Sequence, residues 1–138
     1  MPEPALRIYF NNPVGRVLEH PDGYAYVIYE PGPRKLHHLQ AFLTHTGQLL
    51  ALRGWHKLLG DQRQLAPYTP EERQWIVDYW LTAEQRGSAV IYGAVLVPEE
   101  VFAHLSESEA LAEIKAAALV YRLFDSEAAA QEWLRQKP

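Results

Sequence analysis

Cysteine is absent from the 138 residues. That removes disulfides, thiolate nucleophiles and Cys-ligated zinc or iron–sulfur centres together. Long apolar runs are also missing. No stretch reaches the roughly 18 apolar residues that a membrane-spanning helix needs. Positive charge is in deficit, with 13 Lys+Arg against 17 Asp+Glu and a net charge of −4. Without a basic stripe, binding to a nucleic-acid backbone lacks its electrostatic driving force. The opening Met1-Pro2-Glu3-Pro4 has neither a basic nor an apolar stretch, so it does not read as a secretory signal. These absences together lead us to expect a soluble cytoplasmic protein with no nucleic-acid partner and no membrane span.

What is present is an ordinary globular mixture, 48% hydrophobic and 22% charged. A chain of this length buries about 68–70% of its unfolded surface on folding, enough for one core. We therefore expect a single domain over 1–138. The acidity belongs to the second half. Residues 1–66 carry a net +2 and residues 67–138 a net −6, and the acidic groups recur on helical patterns as solvated faces do.

Leu6–Phe10 reads as a short strand or lead-in, interrupted by Asn12 and Pro13. Val14–His20 and Tyr24–Glu30 flank His20-Pro21-Asp22-Gly23, where Pro presets φ and Gly supplies a positive φ, so this is a hairpin. In the second run Tyr24, Tyr26 and Ile28 share one face and Ala25, Val27 and Tyr29 the other, which predicts a strand covered on both sides. Leu36, Leu39, Phe42, Leu43, Leu49 and Leu50 set a helical period over Lys35–Arg53, with Gly54 as the residue beyond its end. His56–Gly60 follows as a strand.

Thr69-Pro70-Glu71-Glu72 is a helix start, with Thr69 as N-cap and Glu72 completing a capping box. Trp75, Ile76, Tyr79, Trp80 and Ala83 form the apolar stripe behind it, and Gly87 ends it. Ala89–Val97 reads as a central strand buried on both faces. Glu99–His104 is one or two helical turns. Ser106-Glu107-Ser108-Glu109 is a second capping box, and its helix is expected to turn Leu111, Ile114 and Ala118 to the core. Leu119–Phe124 is a last strand, and Asp125 or Ser126 caps a terminal helix that packs Trp133 and Leu134 inward. Strands alternating with helices make an α/β class with parallel pairings, to which the N-terminal hairpin adds an antiparallel part.

Two segments carry a family resemblance. Tyr68-Thr69-Pro70-Glu71-Glu72-Arg73 opens the second long helix. Tyr121-Arg122-Leu123-Phe124-Asp125-Ser126-Glu127 leads into Ala128-Ala129-Ala130-Gln131-Glu132-Trp133-Leu134. With the element order, they resemble the STAS domain, the fold of the anti-anti-sigma factor SpoIIAA, and more narrowly the bacterial SpoIIAA-like (STAS/SEC14-type) proteins. The resemblance implies a mixed, mostly parallel five-stranded sheet with helices on its faces. It also implies a non-enzymatic regulatory or protein-interaction domain with a protein partner. Its phosphoacceptor Ser normally lies in Asp-Ser-Ser-Gly at the start of the second helix. That motif is absent, and Thr69 is the nearest hydroxyl by position. Glu71 and Glu72 would repel a phosphate there, whereas the helix N-terminus would favour one. The SEC14-like relatives suggest an alternative, a binder of a small apolar ligand or lipid.

Asp61, Gln62, Arg63, Tyr68 and Thr69 follow a strand's carboxyl end, where open α/β sheets tend to bind ligands. They are the candidate partner or ligand surface, against the plainer reading of a loop held by an Asp61–Arg63 contact and a cap. Tyr24, Tyr26 and Tyr29 with Trp75, Tyr79 and Trp80 either wall an apolar pocket or simply fill the core. Trp55 beside Gly54 is a candidate exposed anchor for a partner or for a second copy in a homodimer. His38 and His45 share a helix face but lack the i,i+4 spacing of a metal pair, so no metal is expected. Gly-x-Ser-x-Gly, Gly-x-x-x-x-Gly-Lys and Gly-x-Gly-x-x-Gly are all missing, and Glu99 and Glu100 diverge as neighbours on any regular element. No catalytic residue and no cofactor are expected.

Overall fold

The computed structural model describes residues 6–80, 90–116 and 118–138. Seven strands form one sheet: β1 (Arg7–Asn12), β2 (Gly15–His20), β3 (Tyr24–Tyr29), β4 (Lys57–Asp61), β5 (Ile91–Leu96), β6 (Ile114–Ala116) and β7 (Leu119–Phe124). Their order across the sheet is β1-β2-β3-β4-β5-β7-β6. Five α-helices accompany them among the described residues: α1 (Leu36–Arg53), α2 (Pro70–Trp75), α3 (Glu99–Ala103), α4 (Glu107–Leu111) and α5 (Glu127–Arg135). α2 runs on as a π-helical turn over Ile76–Trp80.

The α/β class and mixed sheet match expectation, but the strand count and the share of parallel pairs do not. Pairings β3–β4, β4–β5 and β5–β7 are parallel, while β1–β2, β2–β3 and β6–β7 are antiparallel. The sheet is therefore evenly divided rather than mostly parallel, and it has seven strands rather than five. Part of the difference lies after Ser106. The second capping box forms as expected, with Ser106 Oγ accepting from the Glu109 amide and the Glu109 carboxylate accepting from the Ser106 amide. The helix it starts ends at Leu111. Ile114–Ala116 then pairs with the outer edge of β7. Leu111 and Ile114 are exposed instead of facing the core, while Ala118 is buried. An open strand edge offers backbone partners that a continued helix would have left unpaired.

Period-two alternation in β3 sorts its side chains as the sequence predicts. Ala25, Val27 and Tyr29 join Leu39, Phe42, Leu43, Leu49 and Leu50 of α1 in one core layer. Tyr24 and Tyr26 join Leu59, Ala94, Leu96, Phe124 and α5's Ala130, Trp133 and Leu134 in the other. Burying Leu39, Phe42 or Leu49 completely contributes about 1.5–3 kcal/mol each, so α1 is held mainly by this face. The hairpin closes at Gly23 with φ 87° and a Gly23 amide bond to the His20 carbonyl. Gly54 ends α1 with φ 66°. β5 lies between β4 and β7, covered on both faces as its continuous apolar run predicts. Ser126, rather than Asp125, caps α5 by accepting from the Ala129 amide. The predicted positions Ala83, Gly87 and Ala89 lie outside the described residues. Among the described residues, no helix is long and apolar enough to cross a membrane.

Candidate functional site

The expected surface at the carboxyl end of β4 divides between the two faces of the sheet. Leu58 and Gly60 alternate with Leu59 and Asp61, so one face takes the even positions and the other takes Asp61. Gln62 and Tyr68 line a cavity on the α1 face. Asp61 is gripped by Arg63, whose Nε and Nη2 donate to its two oxygens at 2.9 and 2.7 Å. The backbone amide of Arg63 adds a third bond at 3.1 Å. Burial works to raise the Asp61 carboxyl, and the Arg63 hydrogen bonds outweigh it, so the group sits below the ordinary aspartate range. This is the loop contact that the plainer sequence reading anticipated.

The α1-face cavity measures about 150 Å³. Val27, Leu43, Leu58, Ile76, Trp80, Val95 and Leu119 supply most of its wall. Gly60 and Gly93, on neighbouring strands, form its floor. Among the described residues a Cβ built at Gly60 would find only the Leu58 Cδ1 atom, 4.0 Å away, so the missing side chain leaves usable space. Tyr29, Thr46, Gln62 and Tyr68 bring polar atoms to the wall. Thr46 Oγ1 donates back to the Phe42 carbonyl at 2.9 Å and is satisfied within α1. The Tyr29 and Tyr68 hydroxyls bond each other at 3.3 Å. Burial pushes both phenols up, so both stay protonated at neutral pH. Trp80 Nε1 donates to the Leu43 carbonyl at 2.7 Å, which pins the far wall to α1. A wider groove of about 420 Å³, with Gly47, Gly54 and Trp55 in its lining, shares Leu43 and Trp80 with the cavity.

Thr69 is exposed, and its Oγ1 accepts from the Glu72 amide at 3.1 Å. The returning bond of the capping box runs from the Thr69 amide to Glu72 Oε1 at 2.8 Å. Arg34 has no signal in the sequence beyond its charge, yet it organises this corner. Its Nε and Nη2 donate to the two Glu72 oxygens at 2.8 Å each. Nη1 and Nη2 also reach the Ala66 and Pro67 carbonyls, at 2.9 and 3.1 Å. The guanidinium stands 5.0 Å from the centre of the Tyr68 ring. Arg34 therefore fixes the loop that carries Tyr68 to the cavity mouth.

The aromatic residues do not converge on one pocket. Tyr29 and Trp80 line the cavity, whereas Tyr24 and Tyr26 face α5. Trp75 and Tyr79 stack on each other with centroids 5.0 Å apart. Trp55 is half-buried against the α1 layer instead of standing out as an anchor. His45 stacks on Phe10 with centroids 3.8 Å apart. Among the described residues, no group of three or more His, Asp and Glu side chains is placed to hold a metal ion. On the α5 face Tyr26 donates to Glu127, and Tyr24 accepts from Gln131.

No protein-family model, curated protein or solved structure matches the chain.

Proposed function

We propose that the chain is a non-enzymatic binding domain that holds a small apolar ligand between its sheet and the α1–α2 layer, working in the cytoplasm. One observation carries this reading. Gly60, buried near the carboxyl end of β4, leaves an apolar space where a side chain would otherwise pack. A cavity of about 150 Å³ has room for a single ring or a short chain, comparable to engineered apolar cavities that bind benzene. Organic extraction of protein purified from its native cell, followed by mass spectrometry, is the test. A bound small apolar molecule that disappears from the Gly60→Val variant supports the reading. Repeated empty extracts, with no spectral response to added small hydrocarbons, sink it.

A second reading is the SpoIIAA-like regulatory domain, which presents the start of α2 to a protein partner. It is favoured by the exposure of Thr69 at that helix start, directly after the cavity-lining Tyr68. Phosphoproteomics and pull-downs with a Thr69→Glu variant test it. A Thr69 that is never modified, together with an unchanged set of partners, removes the switch.

A further inference from the structure

The hydrogen bond between the Tyr68 and Tyr29 hydroxyls leaves one proton of that pair without a bond among the described residues. Tyr29 and Tyr68 carry two hydroxyl protons, and the single bond between their oxygens uses one of them. Among the described residues neither hydroxyl has another hydrogen-bond partner. Tyr29 is only 5% exposed, so water outside the fold does not reach it freely. A buried donor without an acceptor is unfavourable, and its natural complement is an acceptor carried by whatever occupies the space. The Gln62 side chain, also on the wall, makes no hydrogen bond among the described residues.

Charge on the ligand is disfavoured by the same surroundings. Arg34, beside the Tyr68 ring, is neutralised by Glu72 and donates two further hydrogen bonds to backbone carbonyls. No Lys, Arg or His lines the cavity among the described residues. A carboxylate entering it would lose its hydration without gaining a counter-charge.

We propose that the ligand is a neutral molecule of single-ring or short-chain size that carries one carbonyl oxygen, an aldehyde, ketone or ester, and accepts a hydrogen bond from the Tyr29–Tyr68 pair. This rests on the reading of the cavity as a ligand site.

The test titrates purified protein with toluene, benzaldehyde and benzoate, three probes of similar shape, and follows binding by amide NMR shifts around the cavity. Benzaldehyde is expected to bind about fivefold to tenfold more tightly than toluene, the gain of one neutral hydrogen bond. Benzoate is expected to bind most weakly. In Tyr29→Phe/Tyr68→Phe the preference for benzaldehyde collapses towards one while toluene still binds. Removing both hydroxyls together leaves no orphaned partner, so the fold is expected to persist. Equal affinity for toluene and benzaldehyde in the unaltered protein overturns the carbonyl assignment and leaves the cavity reading standing. So does a preference that survives in the double variant. Failure of both neutral probes to bind overturns the two together.

Discussion

Arg34 and Glu72 lie 38 positions apart and meet in a two-point ion pair whose side chains are only 7% and 6% exposed. Arg34 precedes α1 and Glu72 sits in the first turn of α2. The pair thus ties the beginning of α1, which lines the cavity through Leu43 and Thr46, to the beginning of α2, whose π-helical continuation lines it through Ile76 and Trp80. Removing one member leaves the other charge buried and alone, which costs about 3–5 kcal/mol. Glu72→Ala is expected to lose that amount plus its share of the capping box. Thr69→Ala loses only the cap, about 1 kcal/mol. In Arg34→Met/Glu72→Leu no orphaned charge remains, so the double variant is expected to be more stable than Glu72→Ala. Urea unfolding of the four proteins checks the order.

The same pair gives the stability an acid limb. Burial works to raise the Glu72 carboxyl, and hydrogen bonds from Arg34 and the Thr69 amide outweigh it, holding the group below the ordinary glutamate value. A carboxyl whose folded value is depressed adds stability above its unfolded value, about 4.3, and loses it as pH falls through the folded value. The gap in urea midpoint between the unaltered protein and Glu72→Gln is therefore expected to be widest near neutrality. It should narrow progressively as pH drops below about 4.3. A gap independent of pH between 7 and 3, roughly the span over which linkage acts, would show that the charge on Glu72 contributes nothing.

Two glycines should respond in opposite directions to the same methyl group. A Cβ at Gly15 would sit 2.0 Å from the Ile28 carbonyl oxygen, on the strand paired with it. That oxygen is backbone and cannot swing aside, so Gly15→Ala must force β2 from β3 and is expected to cost several kcal/mol, roughly the upper range for single substitutions. At Gly47, within α1, the nearest atom among the described residues is Trp80 Nε1 at 3.7 Å, an ordinary contact. Gly47→Ala is expected to stabilise the protein by about 0.5–1 kcal/mol through helix propensity. Thermal unfolding of both variants distinguishes them readily.

These contacts also mark where the sequence is informative and where it is not. Thr69 with Glu72, Ser106 with Glu109, and Gly54 after α1 are local devices, with partners within a few residues, so their spacing reveals them. The alternation of Tyr24–Tyr29 correctly divides the two core layers for the same reason. Arg34–Glu72 is a meeting of distant segments, and nothing near Arg34 announces it. Asp61 and Gln62 are adjacent in the chain, and for that reason a strand end sends them to opposite faces. The candidate surface was legible as residues but not as one place. Ile114–Ala116 follows a sound helix signal, yet an open strand edge decided its conformation. The cavity depends on what glycine omits opposite residues of α1 and the π-helical turn, and no periodicity encodes that.

Tyr26 donates its hydroxyl hydrogen to Glu127 across the α5 face, and the consequence appears at high pH. Burial, then the bond to Glu127 and the nearby negative charges of Glu127 and Asp61, push this phenol well above the ordinary tyrosine value. Burial likewise pushes Tyr24 up to about 12. A group whose folded pKa is raised supplies stability that is whole below its unfolded value, near 10, and is lost as pH rises through the folded value. Stability is therefore expected to fall from about pH 10 upward, as unfolded chains ionise phenols that the fold keeps protonated. At neutral pH Tyr26→Phe removes one bond to an exposed carboxylate that water can resolvate, a loss of about 1.5 kcal/mol. At pH 11, roughly midway through the alkaline limb, the variant has shed part of that limb and the two proteins should differ less. Melting temperatures across this range provide the measurement. Parallel curves from neutrality to pH 11, about one unit above the unfolded phenol, would mean that Tyr26 is not the group whose proton holds α5 to the sheet.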